Sequence, residues 1–228
     1  FFDYAEKVFG TSGQAWTVKG QLVGEGKGGN PYAPDRSNHF PLESQKNTVS
    51  AQLFQKAATA VGYKPYNLPS ANTSGPYTNP YGAQMGPCNF CGFCSGYVCY
   101  MYSKASPNVN ILPALKPLPN FELRPNSHVL RVNLDSTKSK ATGVTYIDGQ
   151  GREIEQPADL VILGAFQFHN VRLMLLSGIG KPYDPISGEG VVGKNVAYQN
   201  MATIKAYFDK DTHTNNFIGA GGNGVAVD

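Results

Sequence analysis

Charged side chains are scarce in this sequence. Only 15% of its 228 residues are Asp, Glu, Lys or Arg, and the formal net charge is +3. The basic residues are scattered, so there is no stripe for a nucleic-acid backbone and no polybasic membrane anchor. Long apolar runs are missing too. The longest, Leu160–Phe166, contains two small residues and falls far short of a bilayer span. Phe1-Phe2-Asp3-Tyr4 has neither the basic flank nor the apolar core of a signal peptide. Histidine is rare: His39, His128, His169 and His213 lie far apart, with no His-x3-His pair and no neighbouring Glu. Each reads as a surface or packed imidazole. No nucleophile elbow and no Ser/His/Asp set occurs, which leaves the chain without an acid–base centre of its own. It opens without Met, in a helical pattern, and stops after Gly-rich sequence; a piece of a longer polypeptide is expected.

Glycine, proline and aromatic residues are abundant, with 26 Gly, 16 Pro, 13 Tyr and 12 Phe, and 41% of the chain is hydrophobic. That balance describes a loop-rich globular chain of one large domain or two small ones. The spacing predicts a short helix over Phe2–Phe9, ended by Gly10 as a left-handed cap. Thr11–Pro41 follows as a long ordered loop. A second helix is predicted over Thr48–Val61, with Thr48 as N-cap and Gly62 as stop. Its apolar face is Val49, Leu53, Ala57 and Ala60/Val61. Ser106-Pro107 opens a further helix to Lys116 that Pro113 kinks.

Period-two alternation then marks strands at His128–Leu134, Thr142–Ile147 and Arg152–Gln156, with a hairpin turn at Asp148-Gly149. Leu160–Leu163 reads as a strand buried on both faces. It ends at Gly164-Ala165, before a helix with Val171, Met174, Leu175 and Gly178 on one face. The fold class is mixed α/β. Two G-x-G-x-x-G runs, Gly24–Gly29 and Gly219–Gly224, lack the strand–turn–helix setting of a phosphate loop and read as loop glycines.

Every cysteine falls in one short stretch: Cys88, Cys91, Cys94 and Cys99, spaced C-x2-C-x2-C-x4-C. Bridges this short would barely restrict the unfolded chain. Thiols gathered on a turning loop suit an iron–sulfur cluster, and Gly86, Gly92 and Gly96 let the backbone aim amides at sulfur. The bacterial ferredoxin run has x3 and then proline at its last gap, whereas Tyr100 follows x4 here. Structural zinc is the alternative, although zinc ribbons pair two C-x2-C knuckles across a longer insert. Disulfides or inert thiols rank last.

The segment GAFQFHNVRLMLLSGIG, Gly164–Gly180, resembles the second signature of the glucose–methanol–choline (GMC) flavoprotein oxidoreductases. Leu175-Leu176-Ser177-Gly178-Ile179-Gly180 matches well, while Phe168-His169 stands at the usual Ser/Thr-Pro step. Val192-Gly193-Lys194-Asn195 resembles the family's Val-Gly-x-Asn, with Tyr198-Gln199 in place of its Asp-His. His128–Val132 and Thr142-Gly143-Val144 resemble its strand pair, and Tyr4 to Gly13 the start of its substrate domain. With the cysteine loop, the chain resembles large subunits of bacterial sugar and sugar-acid dehydrogenases, the gluconate 2-dehydrogenase and fructose or sorbitol dehydrogenase type.

The resemblance implies a partial FAD-binding fold, with Val129 backbone at the flavin adenine and Gly164 and Ala165 beneath the flavin. It implies a [3Fe-4S] cluster on the cysteine loop. Cys88, Cys94 and Cys99 are the favoured ligands and Cys91 the spare. The implied organisation is a substrate or cap segment over 1–85 and the cluster loop over 86–105. Part of the FAD domain would span 106–200, and a substrate-domain sheet would start at 201–228. The family's N-terminal dinucleotide fingerprint and C-terminal catalytic histidine pair do not occur here, so no catalytic residue is assigned.

The implied activity is oxidation of a sugar, sugar-acid or polyol alcohol, with electrons leaving through the cluster to a cytochrome c subunit. A small subunit would accompany it. Such an enzyme sits peripherally on the periplasmic side of the inner membrane, touching it through partners only. A zinc-stabilised binding module and an oxygen-using GMC oxidase are the rival readings.

Overall fold

A computed structural model describes residues 1–94, 96–200, 202–214 and 224–227. The second glycine run, Gly219–Gly224, lies almost wholly outside them. The chain divides into two compact units, Phe1–Glu122 with Ala206–Asp228, and Leu123–Lys205. In order, the elements are α1 (Phe2–Phe9), β1 (Thr17–Val18), β2 (Gln21–Leu22), α2 (Val49–Ala60), β3 (Tyr66–Asn67), β4 (Tyr77–Thr78) and β5 (Gln84–Met85). Then come α3 (Pro107–Asn110), α4 (Leu112–Leu115), β6 (His128–Leu134), β7 (Ala141–Ile147), β8 (Glu153–Pro157), α5 (Gln167–Leu176) and β9 (Val225–Ala226).

In the first unit α1 ends where expected. Gly10 takes φ +64°, and a Cβ there would meet Tyr77 Cδ1 at 2.7 Å and Thr73 Cγ2 at 2.8 Å. The stretch after it, predicted as loop throughout, contains the short antiparallel β1–β2 pair and is otherwise held by scattered backbone bonds and by side chains. Arg36 pairs with Asp3 and Glu6 of α1, stacks its guanidinium 3.8 Å above the Phe40 ring, and donates from Nε to Asn38 O. The first glycine run lies in this loop without a following helix, as the sequence indicated.

The second helix, α2, starts at the expected cap: Thr48 Oγ1 accepts from Ala51 N. Its inward face differs from the expected one. Ala58 is the buried residue and Val49 is exposed, because Gln55 turns inward to donate to Asn67 Oδ1 and accept from Asn47 Nδ2. Polar anchoring sets the rotation of this helix. Past Ser106, the predicted kink is a full break at Ile111. Pro113 has no N–H and crowds the carbonyl four residues back, so two single-turn helices form.

Among the described residues the largest fully buried side chains are polar: Asn110, Thr73, Thr145, Ser12 and Ser103. Short strands leave many backbone groups without ladder partners, and buried side chains supply them. Asn79 is the fullest case. Its Nδ2 donates to Val8 O (3.1 Å) and Asn110 O (2.7 Å), and its Oδ1 accepts from Tyr81 N (3.0 Å) and Ala83 N (2.9 Å). One amide therefore ties α1, the β4–β5 turn and α3 together. Through it α3 and α4 belong to the first unit, whose first stretch runs to Glu122.

The second unit is an antiparallel β6–β7–β8 sheet with α5 packed on β6. Leu173 and Val132 are the buried residues of that contact region, whereas Leu175 is exposed, a shift from the predicted helix face. The register runs from His128↔Ile147 to Leu134↔Ala141, with an irregularity between Val129 and Arg131. Asp148 shapes the β7–β8 turn: its carboxylate accepts from Gln150 N and Arg152 N and from Arg152 Nε. Those bonds, the Arg152 amide foremost, hold it below the usual carboxylate range.

One expectation fails here. Leu160–Leu163 forms no strand among the described residues, and Leu160 and Ile162 are exposed. A strand buried on both faces needs paired neighbours, and among the described residues no strand pairs with this stretch.

Asn79→Ala removes the amide and leaves two N–H groups, that of Ala83 buried, and two carbonyls without this partner. Urea unfolding of the full-length protein should show a loss of about 2–4 kcal/mol. A loss below about 0.5 kcal/mol, within the range of surface substitutions, would contradict this role.

Candidate functional site

In the second unit, a cavity of about 370 Å³ opens beside β6 and the N-terminus of α5. Val129, Gly164 and Ala165, the residues assigned to the flavin from sequence, all line it. Val129 reaches it from the irregular stretch of β6, where the register to β7 slips. Gly164 stands in open space, with no atom within 4 Å of where a Cβ would lie. The walls are mainly Val144, Val161, Leu163 and Leu173, with His128, His169 and Arg172 as polar members. A concave, mostly apolar site with few polar groups suits a flat cofactor, and the room at Gly164 fits one approaching the backbone closely.

The turn leading to α5 is set by a residue that sequence reasoning missed. Asn170 Oδ1 accepts from Ala165 N (2.8 Å), and its Nδ2 donates to Leu163 O (3.1 Å). One side chain thus grips both sides of Gly164. Phe166, which follows Ala165, takes φ +68°, an uncommon conformation for a residue with a Cβ. The sequence held a signal for this: an amide side chain in the first turn of a helix that has no capping serine or threonine. At the other end of α5, Ser177 Oγ donates to Leu173 O (2.6 Å) and accepts from Val132 N (2.8 Å). The serine of the Leu-Ser-Gly-Ile-Gly stretch therefore fastens helix to strand. His169, read as a surface or packed imidazole, lines the cavity.

The cysteine loop belongs to the first unit, and its base is closed by buried contacts. Gly86 N donates to Met101 O (3.1 Å), and a Cβ on Gly86 would lie 2.5 Å from that oxygen. Thr73 Oγ1 donates to Gly86 O (2.5 Å) and lies 3.0 Å from Ser103 Oγ. Thr73 N donates to Ser103 O, and Cys88 N to Thr73 O (2.9 Å). Neither Thr73 nor Ser103 has exposed surface.

Above this base, Cys88, Cys91, Cys94 and Cys99 are free thiols of intermediate burial. Phe90 N points at Cys88 Sγ (3.5 Å). Burial pushes the Cys94 thiol up, and the charges of Cys88, Cys91 and Cys99 push the same way, while Lys104 opposes them. No three His, Cys, Asp or Glu side chains among the described residues form a converged metal set. Crowding thiolates costs Coulomb energy that metal–sulfur bonding offsets. The donor chemistry, soft thiols with a peptide N–H at sulfur, fits an iron–sulfur group.

Comparison with known proteins extends these observations. The GMC oxidoreductase family description matches residues 42–201. The chain is 75% identical over 228 residues to a gluconate 2-dehydrogenase flavoprotein of Pantoea cypripedii, covering 100% of this chain and 37% of that protein. It is 25% identical over 211 residues to a paromamine 6'-oxidase of Streptomyces fradiae, covering 92% of this chain and 34% of that protein. The chain thus spans about a third of the length of these curated relatives. A family match over well more than half of the sequence, including the segment that shapes the cavity, places this chain in the GMC oxidoreductase family, with the FAD-binding α/β fold which that family carries.

Proposed function

We propose that this chain is part of an FAD-dependent dehydrogenase that oxidises an alcohol group of a sugar acid, with a related sugar or polyol as the wider class. The observation that carries this reading is the 75% identity, along the whole chain, to a gluconate 2-dehydrogenase flavoprotein. When bound, FAD supplies a hydride acceptor and a [3Fe-4S] cluster supplies one-electron transfer toward a cytochrome c subunit.

Each group has residues here that fit it. Asn170 holds the Leu163–Ala165 turn in the conformation that leaves Gly164 open, and Val129 presents backbone where β6 is irregular. Cys88, Cys94 and Cys99 are the proposed cluster ligands, with Cys91 as the spare thiol. The mostly apolar cavity wall suits the flavin side, and Arg172 adds a positively charged side chain to its lining. The group that takes the alcohol proton is assigned to the polypeptide beyond this chain. Strands flanking Leu160–Leu163 are assigned there as well, which accounts for the exposed Leu160 and Ile162.

A small subunit and the cytochrome subunit complete the proposed assembly, placed peripherally on the periplasmic face of the inner membrane. Among the described residues no helix is long and apolar enough to cross a membrane, and contact with it is assigned to the partners. The reading with oxygen as acceptor has support from the paromamine 6'-oxidase match alone, at 25% identity.

Full-length protein purified without oxygen should contain iron and acid-labile sulfide together with FAD, and give a [3Fe-4S] paramagnetic signal when oxidised. Stoichiometric zinc without iron would overturn the cluster assignment. Substrate-driven reduction of oxygen faster than of a dye would favour the oxidase instead.

Gly164→Val tests the flavin wall. Nothing lies within 4 Å of the added Cβ, so thermal stability of the apoprotein should hold. FAD retention should fall roughly tenfold or more, equivalent to about 1.4 kcal/mol, with iron content unchanged. Full FAD occupancy in the variant would show that Gly164 does not face the flavin.

A further inference from the structure

Between Glu43 and Glu122 the sequence contains no Asp or Glu at all. This stretch holds every cysteine, and Lys104 is its sole charged side chain between Lys64 and Lys116. Lys104 is half-buried rather than splayed into solvent. Its Nζ donates to Cys94 O (2.7 Å) and lies 3.4 Å from Tyr97 O, so the ammonium is held inside the curve of the loop. Its backbone is fixed as well: Lys104 bridges Asn72, and Ala105 N donates to Ala71 O (2.8 Å). An anchored backbone on one side and two loop carbonyls on the other leave the charge little freedom to move.

From this geometry we propose that Lys104 is a positioning residue for the metal site, and the proposal rests on the cluster reading above. Lys104 does two things. It ties the Cys94 and Tyr97 carbonyls back to the closed base at Ser103, which fixes where Cys94 stands. It also places one positive charge beside thiolates in a segment that has no carboxylate to cancel it. Thiolates bound to an iron–sulfur core leave the site negative overall, and one-electron reduction adds a further negative charge. A fixed ammonium favours the reduced form over the oxidised one and so raises the reduction potential. Lysine carries out this task as a compact point charge with several donors, which suits two carbonyls at different distances.

The test uses full-length protein in unmutated, Lys104→Met and Lys104→Arg forms. Iron, sulfide and FAD are quantified, and the paramagnetic cluster signal is titrated against potential. Lys104→Met should hold its cluster at a lower potential, while Lys104→Arg stays near the unmutated value. Loss of iron in Lys104→Met with retention in Lys104→Arg equally supports the charged tie. A cluster with the same potential in all forms overturns the proposal, as does loss of iron from both variants, because charge would then not be the requirement. Unmutated protein without iron and sulfide overturns the cluster reading itself, and is distinguished from the other outcomes by that first analysis.

Discussion

Two hydroxyl side chains with no exposed surface, Thr73 and Ser103, join the stretches of chain on either side of the cysteine loop. Thr73 reaches Gly86 O through its hydroxyl, while its backbone binds Ser103 O and receives Cys88 N. A loop of Gly, Phe, Tyr and Cys has no ladder of its own to hold it, and closing it costs conformational entropy. The buried polar clamp provides that closure, and Gly86 is required there because any side chain would run into Met101 O. The placement of Cys88, the reach of Lys104 and the direction of the Phe90 amide all follow from this base.

The same principle governs the rest of the first unit. Its strands are two residues long, so side chains such as Asn79, Ser12, Gln45 and Thr73 add to the few ladder bonds in satisfying backbone groups. This explains how a chain with so many glycines and prolines can keep a long loop ordered. In the second unit regular structure returns, and side-chain anchoring is concentrated at the ends of α5. Asn170 and Ser177 each bond to backbone outside the helix or at its end, and together they fix the turn at Gly164 and the contact with β6.

What was legible in the sequence divides along the same line. Periodic or punctuated elements were readable: α1 with its Gly10 cap, α2 with Thr48, the interruption at Pro113 and the three strands of the sheet. The cavity residues Val129, Gly164 and Ala165 came from a resemblance, and the structure brings them to one place. Residues acting through single hydrogen bonds were not readable. Asn79, Asn170 and Lys104 look like ordinary loop or surface residues until their partners, which lie up to 71 positions away, are known. The inward turn of α2 was misjudged because Gln55 outweighs the apolar stripe. Leu160–Leu163 has the composition of a central strand, but pairing is a property of neighbours, and none is present among the described residues.

On this reading the closed base of the cysteine loop, rather than the thiols alone, creates the metal site. The iron-to-FAD ratio of full-length Gly86→Ala puts that to the test. A methyl group 2.5 Å from Met101 O must open the base, and the atoms nearest to it all belong to Met101. Iron should be lost while FAD stays bound; an unchanged iron-to-FAD ratio in a variant with its FAD intact would contradict the reading.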